Sequence, residues 1–237
     1  MKTILGIDAS TERCSVALMH HGQTYMCTSE KVRAHAEVLL SMIDDLLGEQ
    51  QLGIKNLDSI ACSAGPGSFT GLRIAFSTAQ GLAYGLKLPL FMVDSLQVLA
   101  ASVTKSSKTH KLCILDARMN EVYWSVVSST GQAVLPTQLS LPIDVFKQLQ
   151  NFDVNPNAMI ACGNGVGILK DSNPDAFEVL GFVETIIDAY PQADALLRVA
   201  NERLLEGKMP TVEEAKLSYL RDSVSWNKRK RIRQVTK

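Results

Sequence analysis

Two short segments carry residues whose types and spacing could do chemistry. The first is Asp8-Ala9-Ser10-Thr11, an acid and two hydroxyls that open a turn after an apolar run. A carboxylate there could hold Mg²⁺ through water, with Ser10 and Thr11 donating to phosphate oxygens. The same residue types also close a hairpin as an Asx or Ser/Thr turn with no ligand at all. The second segment is Ser63-Ala64-Gly65-Pro66-Gly67-Ser68-Phe69-Thr70-Gly71-Leu72-Arg73, which follows the apolar run Ser59 to Cys62 and precedes an uncharged run from Ile74 to Leu86. The order strand, glycine loop, helix can bring backbone N–H groups around an anion at a helix N-terminus. Gly65, Gly67 and Gly71 are the residues that would let the backbone crowd a phosphate. The loop lacks the Gly-Lys-Ser/Thr ending of a P-loop, so no lysine reaches the outer phosphates. Its alternative reading is a tight crossover in which the glycines supply positive φ. ATP or ADP with Mg²⁺ is the ligand these two segments would take if they take one.

No self-sufficient catalytic set accompanies them. The four histidines, His20, His21, His35 and His110, include no His-x-x-x-His or His-Glu-x-x-His spacing, so no metal is expected. No Gly-x-Ser-x-Gly elbow is present. The five cysteines, at 14, 27, 62, 113 and 162, never form a C-x-x-C pair. All but Cys27 sit in apolar strand-like runs, where a reduced cysteine behaves as a small hydrophobe.

The elements that must position these residues follow from periodicity. Thr3 to Asp8 reads as a buried strand, and Cys14–His20 with Gln23–Ser29 reads as a hairpin turning at His20-His21-Gly22. Val38, Leu39, Met42, Ile43, Leu46 and Leu47 recur at helical spacing between about Arg33 and Gly48. Leu57 to Ser63 is a strand, the helix after the glycine loop spans Leu72 to Leu86, and Pro89 ends that pattern. Leu90 to Val93 is a short strand, with Asp94 or Ser95 capping a helix to about Val103. The polar stretch Thr104 to His110 marks the lobe boundary. Beyond it Leu112-Cys113-Ile114-Leu115-Asp116-Ala117 repeats the pattern of Ile4-Leu5-Gly6-Ile7-Asp8-Ala9, and each is followed by a turn, a second strand and a glycine turn. This self-similarity over roughly twenty residues is what a duplicated domain leaves, though strand–turn–strand is a common unit. A helix after Pro142, a strand Met159 to Cys162, the turn Gly163-Asn164-Gly165-Val166-Gly167, a helix Gln192 to Leu205 and an extended tail through Tyr219-Leu220-Arg221 complete the pattern.

The helix after the glycine loop offers a second kind of function. Ala75, Ala79 and Ala83 form one stripe and Ser77, Gly81 and Gly85 another; at 100° per residue the two lie on roughly opposite faces. One small-residue face can pack on the protein's own sheet, and the other must meet something equally close. A neighbouring helix of the same chain is one candidate, and a partner subunit is the other. The expected partner-binding residues are Leu39, Met42, Ile43 and Leu46 on the first helix and Ala75, Ala79, Leu82 and Ala83 on the second. On that expectation a charge at Ala79 breaks the contact.

Composition sets the remaining bounds. The 237 residues carry 24 basic and 24 acidic side chains, with 46% hydrophobic content, ordinary for a globular protein. The balance is uneven. Residues 228 to 237 hold Lys228, Arg229, Lys230, Arg231, Arg233 and Lys237 and no acid, leaving 18 basic against 24 acidic residues elsewhere. A basic tail on an acidic body suits contact with an anionic polymer such as RNA, and it also suits a solvated chain end. No signal segment opens the chain and no apolar run reaches membrane length, so the expected location is cytoplasmic, away from any membrane.

Three segments together resemble the bacterial TsaB (YeaZ) family: Ile7-Asp8-Ala9-Ser10-Thr11, Arg33-Ala34-His35-Ala36-Glu37-Val38-Leu39-Leu40 and the stretch Ser63 to Arg73. The likeness is dense to about residue 100 and looser beyond, where Tyr219-Leu220-Arg221 also fits. The resemblance implies a two-lobed α/β fold of the actin-like, ribonuclease H-like (ASKHA) type, with a duplicated mixed five-stranded sheet and flanking helices. The implied division is residues 1–104, 105–227 and a basic tail 228–237. It implies a non-catalytic subunit that pairs with its paralogue TsaD, helps to recruit the ATPase TsaE, and serves the addition of threonylcarbamoyl to N6 of adenosine 37 in tRNA. It further implies self-association when TsaD is absent. The catalytic paralogue carries a His-x-x-x-His metal site after the strand that follows the glycine loop. Here those two positions fall on Ser95 and Leu99, and leucine cannot ligate a metal. The rival functions are a stand-alone ATP-dependent phosphotransferase using Asp8 and Ser10, a glycoprotease, and tRNA contact through Lys228 to Arg231.

Overall fold

A computed structural model describes residues 2–29, 35–104, 109–151 and 156–221. It contains two five-stranded sheets built to one plan. The first holds β1 (Ile4–Asp8), β2 (Cys14–His20), β3 (Gln23–Ser29), β4 (Ser59–Gly65) and β5 (Leu90–Asp94) in the order β3-β2-β1-β4-β5. The second holds β6 (His110–Arg118), β7 (Glu121–Val127), β8 (Ala133–Ser140), β9 (Met159–Cys162) and β10 (Glu184–Ile186) in the order β8-β7-β6-β9-β10. In each, a three-stranded antiparallel meander is extended by two parallel strands. The repeated Asp-Ala motif therefore marks a duplication, and the architecture is the two-lobed actin-like one.

The hairpin turns where His21 and Gly22 adopt φ of 50° and 81°, the positive pair that a two-residue hairpin needs. Both faces of the first sheet are covered, which explains why β1 is an unbroken apolar run. Leu5, Ile7, Val16, Leu18, Ile60 and Cys62 face α1 (His35–Glu49) and α2 (Phe69–Leu86). Ile4, Ala17, Ala61, Phe91 and Val93 face the opposite side, where α7 (Ala193–Leu205) packs. The second sheet is covered by α4 (Pro142–Gln150), α5 (Val166–Ser172) and α6 (Pro174–Leu180) on one face. Its other face receives α3 (Ser95–Ser102), through Leu96, Leu99 and Ala100 against Cys113, Leu115, Ile160 and Cys162.

The two lobes thus exchange a helix. Helix α3, from the first half, lies on the second sheet, and α7, from the second half, lies on the first. Asp94 caps α3 by accepting from the amides of Leu96 and Gln97, and it also accepts from the Thr137 hydroxyl of the second sheet at 2.8 Å. The buried Ser15 hydroxyl accepts the first amide of α7, from Ala193, at 3.0 Å. A division at residue 104 separates the sheets in sequence, but the segment from 193 onward, assigned to the second lobe by the sequence, packs on the first sheet. The reason is local: Gly6 in β1 leaves a gap that the first turn of α7 fills.

Candidate functional site

The turn after β1 and the glycine loop after β4 lie side by side, because β1 and β4 are parallel neighbours with Ile7 opposite Cys62. Asp8 is buried, and its carboxylate accepts from the Ser63 hydroxyl, from the Ser10 hydroxyl at 3.1 Å and from the Ser10 amide at 3.2 Å. The Thr11 hydroxyl accepts from the Arg13 amide at 3.3 Å, closing a Ser/Thr turn. Gly67 and Gly71 press directly on this turn: a Cβ at Gly67 would fall on the Ser10 carbonyl oxygen, and one at Gly71 on that of Ala9. The Ser68 amide donates to the Ser10 carbonyl at 2.7 Å and the Gly71 amide to the Ser68 hydroxyl at 3.3 Å. Gly65, at φ 98°, faces the chain's own tail, where the Ser218 carbonyl oxygen lies 2.9 Å from where its Cβ would be.

These contacts do not fit a Mg²⁺–phosphate group. Two donors at the helix entrance, the Ser68 and Gly71 amides, are used inside the chain, and the carbonyl oxygens of Ser10 and Ala9, which repel an anion, press on Gly67 and Gly71. The glycines allow the loop to approach the turn and the tail closely. The helix also starts earlier than its uncharged run, because Ser68 caps it and Phe69, Thr70 and Gly71 form its first turn.

Helix α2 divides as the stripes require. Ala75, Ala79 and Ala83 are fully buried against the first sheet, while Ser77, Gly81 and Gly85 are exposed. Among the described residues a Cβ built on Gly81 or Gly85 meets nothing within 4 Å. The residues expected to bind a partner therefore need correction. Leu39, Ile43, Leu46, Ala75, Ala79 and Ala83 are core residues of this chain, and Met42 and Leu82 are half-buried against that core. The outer face of α1 carries the exposed acids Glu37, Asp44, Asp45 and Glu49 beside a single large apolar side chain, Leu40. The outer face of α2 carries Phe69, Arg73 and Tyr84 flanking the small-residue line, with Tyr84 72% exposed. The spacing of Ser77, Gly81 and Gly85 signalled this face; the aromatic flank and the tilted contact of Phe69 with Tyr219, ring centres 6.2 Å apart, were not legible in the sequence. A cavity of about 410 Å³ lies elsewhere, between β5 and residues 208–215, and its lining includes Phe91, Arg203 and Met209.

A family model described as TsaD, tRNA N6-adenosine threonylcarbamoyltransferase, matches residues 28–228. The chain is 34% identical over 230 residues to the tRNA threonylcarbamoyladenosine biosynthesis protein TsaB of Escherichia coli strain K12, covering 95% of this chain and 97% of that one. The chain belongs to the TsaB/YeaZ family. The TsaB of Haemophilus influenzae is 33% identical over 238 residues, covering 95% of this chain and 96% of that one. A solved structure of YeaZ from Pseudomonas aeruginosa superposes with a TM-score of 0.79 at 32% identity, covering 93% of this chain and all (100%) of that one.

Within this TsaB/YeaZ chain, Ser95 and Leu99 lie in the core between the sheets. Leu99 is buried against the second sheet, and the Ser95 hydroxyl is buried without a hydrogen-bond partner. Among the described residues no group of three His, Cys, Asp or Glu side chains could hold a metal ion, and no helix is long and apolar enough to cross a membrane. Lys228, Arg229, Lys230 and Arg231 lie outside the described residues.

Four thiols, those of Cys14, Cys27, Cys62 and Cys113, are pushed above the ordinary thiol range. Burial, then the Asp8 charge, pushes Cys14 up to about 12, and the same two causes raise Cys62. Cys113 is raised by burial and by the Cys162 thiol 3.7 Å away. Cys27 is half-buried and raised by burial, then by Glu49 and Asp45. Each unit of elevation lowers the thiolate fraction about tenfold. In native protein at pH 8, brief iodoacetamide treatment is expected to label Cys27 first and to leave Cys14 and Cys62 unmodified, while unfolded chain takes five labels. Fast labelling of Cys14 or Cys62 in a folded sample, read by peptide mass spectrometry, would contradict the burial of this site.

Proposed function

We propose that the chain is a non-catalytic docking subunit of the machinery that adds threonylcarbamoyl to N6 of adenosine 37 in tRNA, and that it binds TsaD through the outer face of α2. The observation that carries this reading is the exposed line Ser77, Gly81, Gly85. A glycine inside an exposed helix costs about 0.8–1 kcal/mol relative to alanine. Among the described residues nothing needs Gly81 or Gly85 to be bare, since an added Cβ at either meets none of their atoms within 4 Å. Small residues on an outer face let a second helix approach to about 8 Å. Membership of the TsaB/YeaZ family supplies the partner, and the internal filling of the Asp8 and glycine turns supports a role in binding rather than turnover.

The same line supports self-association when TsaD is absent. Two copies crossing antiparallel at Ser77 would set Arg73 of each over Gly81 of the other, a long side chain over bare backbone. Recruitment of TsaE is the further expectation of this reading. Reconstitution tests it: TsaD, TsaE, ATP, substrate tRNA and an activated threonylcarbamoyl donor are expected to give adenosine-37 modification only when this chain is added. Full-rate modification in its absence would overturn the proposal.

A further inference from the structure

Residues 216–221 cross from the first lobe to the second without regular secondary structure. On the first-lobe side the Ser218 amide donates to the Ala64 carbonyl at 2.7 Å, directly beside Gly65. The Tyr219 hydroxyl accepts from Arg73 Nε at 3.1 Å, and the Arg73 guanidinium lies 3.4 Å from the centre of the Phe69 ring and 5.6 Å from that of Tyr219. On the second-lobe side Arg221 donates to the Ala117 carbonyl at 3.2 Å, touches Met119 Sδ at 3.2 Å and pairs with Glu121. The Arg221 and Glu121 side chains are only 19% and 29% exposed, so this pair is screened less than a surface one. The three partners are the β6–β7 turn itself, through Met119, and the strand ends that flank it, through Ala117 and Glu121. There Arg118, Met119 and Asn120 have φ of 63°, 56° and 59°, a region that side chains bearing a Cβ occupy only when their surroundings over-determine it. Arg221 contacts both flanks of the turn and its central Met119.

We propose that this segment is a clasp that makes the outer face of α2 and the β6–β7 turn one mechanical unit. Its two anchors, Ser218 and Arg221, are three residues apart, a reach of at most about 11 Å. So short a link cannot be slack at one end and seated at the other. The Arg73–Tyr219 hydrogen bond ties the first anchor to the α2 stripe, so displacement there is transmitted to the second lobe. The use of this coupling in partner binding rests on the docking reading; the coupling itself does not.

Amide hydrogen exchange on the free full-length chain, followed by NMR, tests it. Arg221→Ala is expected to speed exchange of the Ser218 amide, in the other lobe, about tenfold, and Glu121→Gln is expected to act in the same direction. Tyr219→Ala is expected to speed exchange of the Arg118 amide, which donates to Asp116 at 2.7 Å, by a similar factor, because coupling between sites is reciprocal. Arg221→Lys keeps the charge, loses the fork and falls between. Exchange that changes only at the substituted end in every variant would overturn the clasp and leave two unrelated contacts. Because no partner is present, that failure is separable from failure of the docking proposal.

Discussion

Gly81→Arg is expected to abolish capture of TsaD while leaving the chain folded and slightly more stable. The substitution removes a helix-interior glycine at a position where an added Cβ meets open space, a gain of about 0.5–1 kcal/mol. For a domain of this size that is a rise in Tm of about 1–4 °C. Ala79→Arg, only two residues away, is expected to do the opposite. Ala79 is fully buried between α2 and the first sheet, so an arginine there must bury a charge or force the helix off the core. That costs several kcal/mol, much of the roughly 5–15 kcal/mol that holds a domain together. Thermal unfolding and a pull-down on the two variants separate the faces. Retained TsaD binding in Gly81→Arg would remove α2 from the interface, and a soluble Ala79→Arg with native Tm would contradict the burial of the alanine stripe.

Gly71→Ala is expected to lower Tm by about 10 °C, from a loss of about 3 kcal/mol. Its Cβ would fall on the Ala9 carbonyl oxygen, and the obstacle is backbone, not a side chain that can swing away. Relief requires α2 to withdraw from the turn, which stretches the Ser68–Ser10 hydrogen bond and exposes the Asp8, Ser10 and Ser63 cluster. Gly85→Ala is the control, since its Cβ has open space, and it is expected to raise Tm slightly. A Gly71→Ala variant that melts within a degree of the parent would show slack between loop and turn, and with it room for an anion.

Much of the architecture was legible in the residues. The hairpin spans, β9 and the Asp94-capped α3 follow from alternation, turn residues and an N-cap, all local signals. The duplication left only the Asp-Ala strands and glycine turns as a trace, yet the two sheets share one strand order. Strand order tolerates sequence change as long as apolar positions stay apolar, so topology outlasts the motif. The site was less legible. The Asp8 turn and the glycine loop have the residue types of a phosphate site. Whether their amides are free depends on what the fold brings to them, and here the Ser10 carbonyl takes the Ser68 amide and the Ser68 hydroxyl takes the Gly71 amide.

By itself the sequence determined most of the elements (though not α5, α6 or β10), their repeat, the family and the presence of two opposed small-residue faces on α2, because periodicity and spacing are properties of neighbours along a chain. Only the tertiary structure decided which of those faces is inside, that α3 and α7 change lobes, that the glycine loop is filled by its own backbone, and that the tail joins Ala64 to Glu121. Those are relations between residues far apart in sequence, set by packing and hydrogen-bond satisfaction across the whole chain, and no local pattern encodes them.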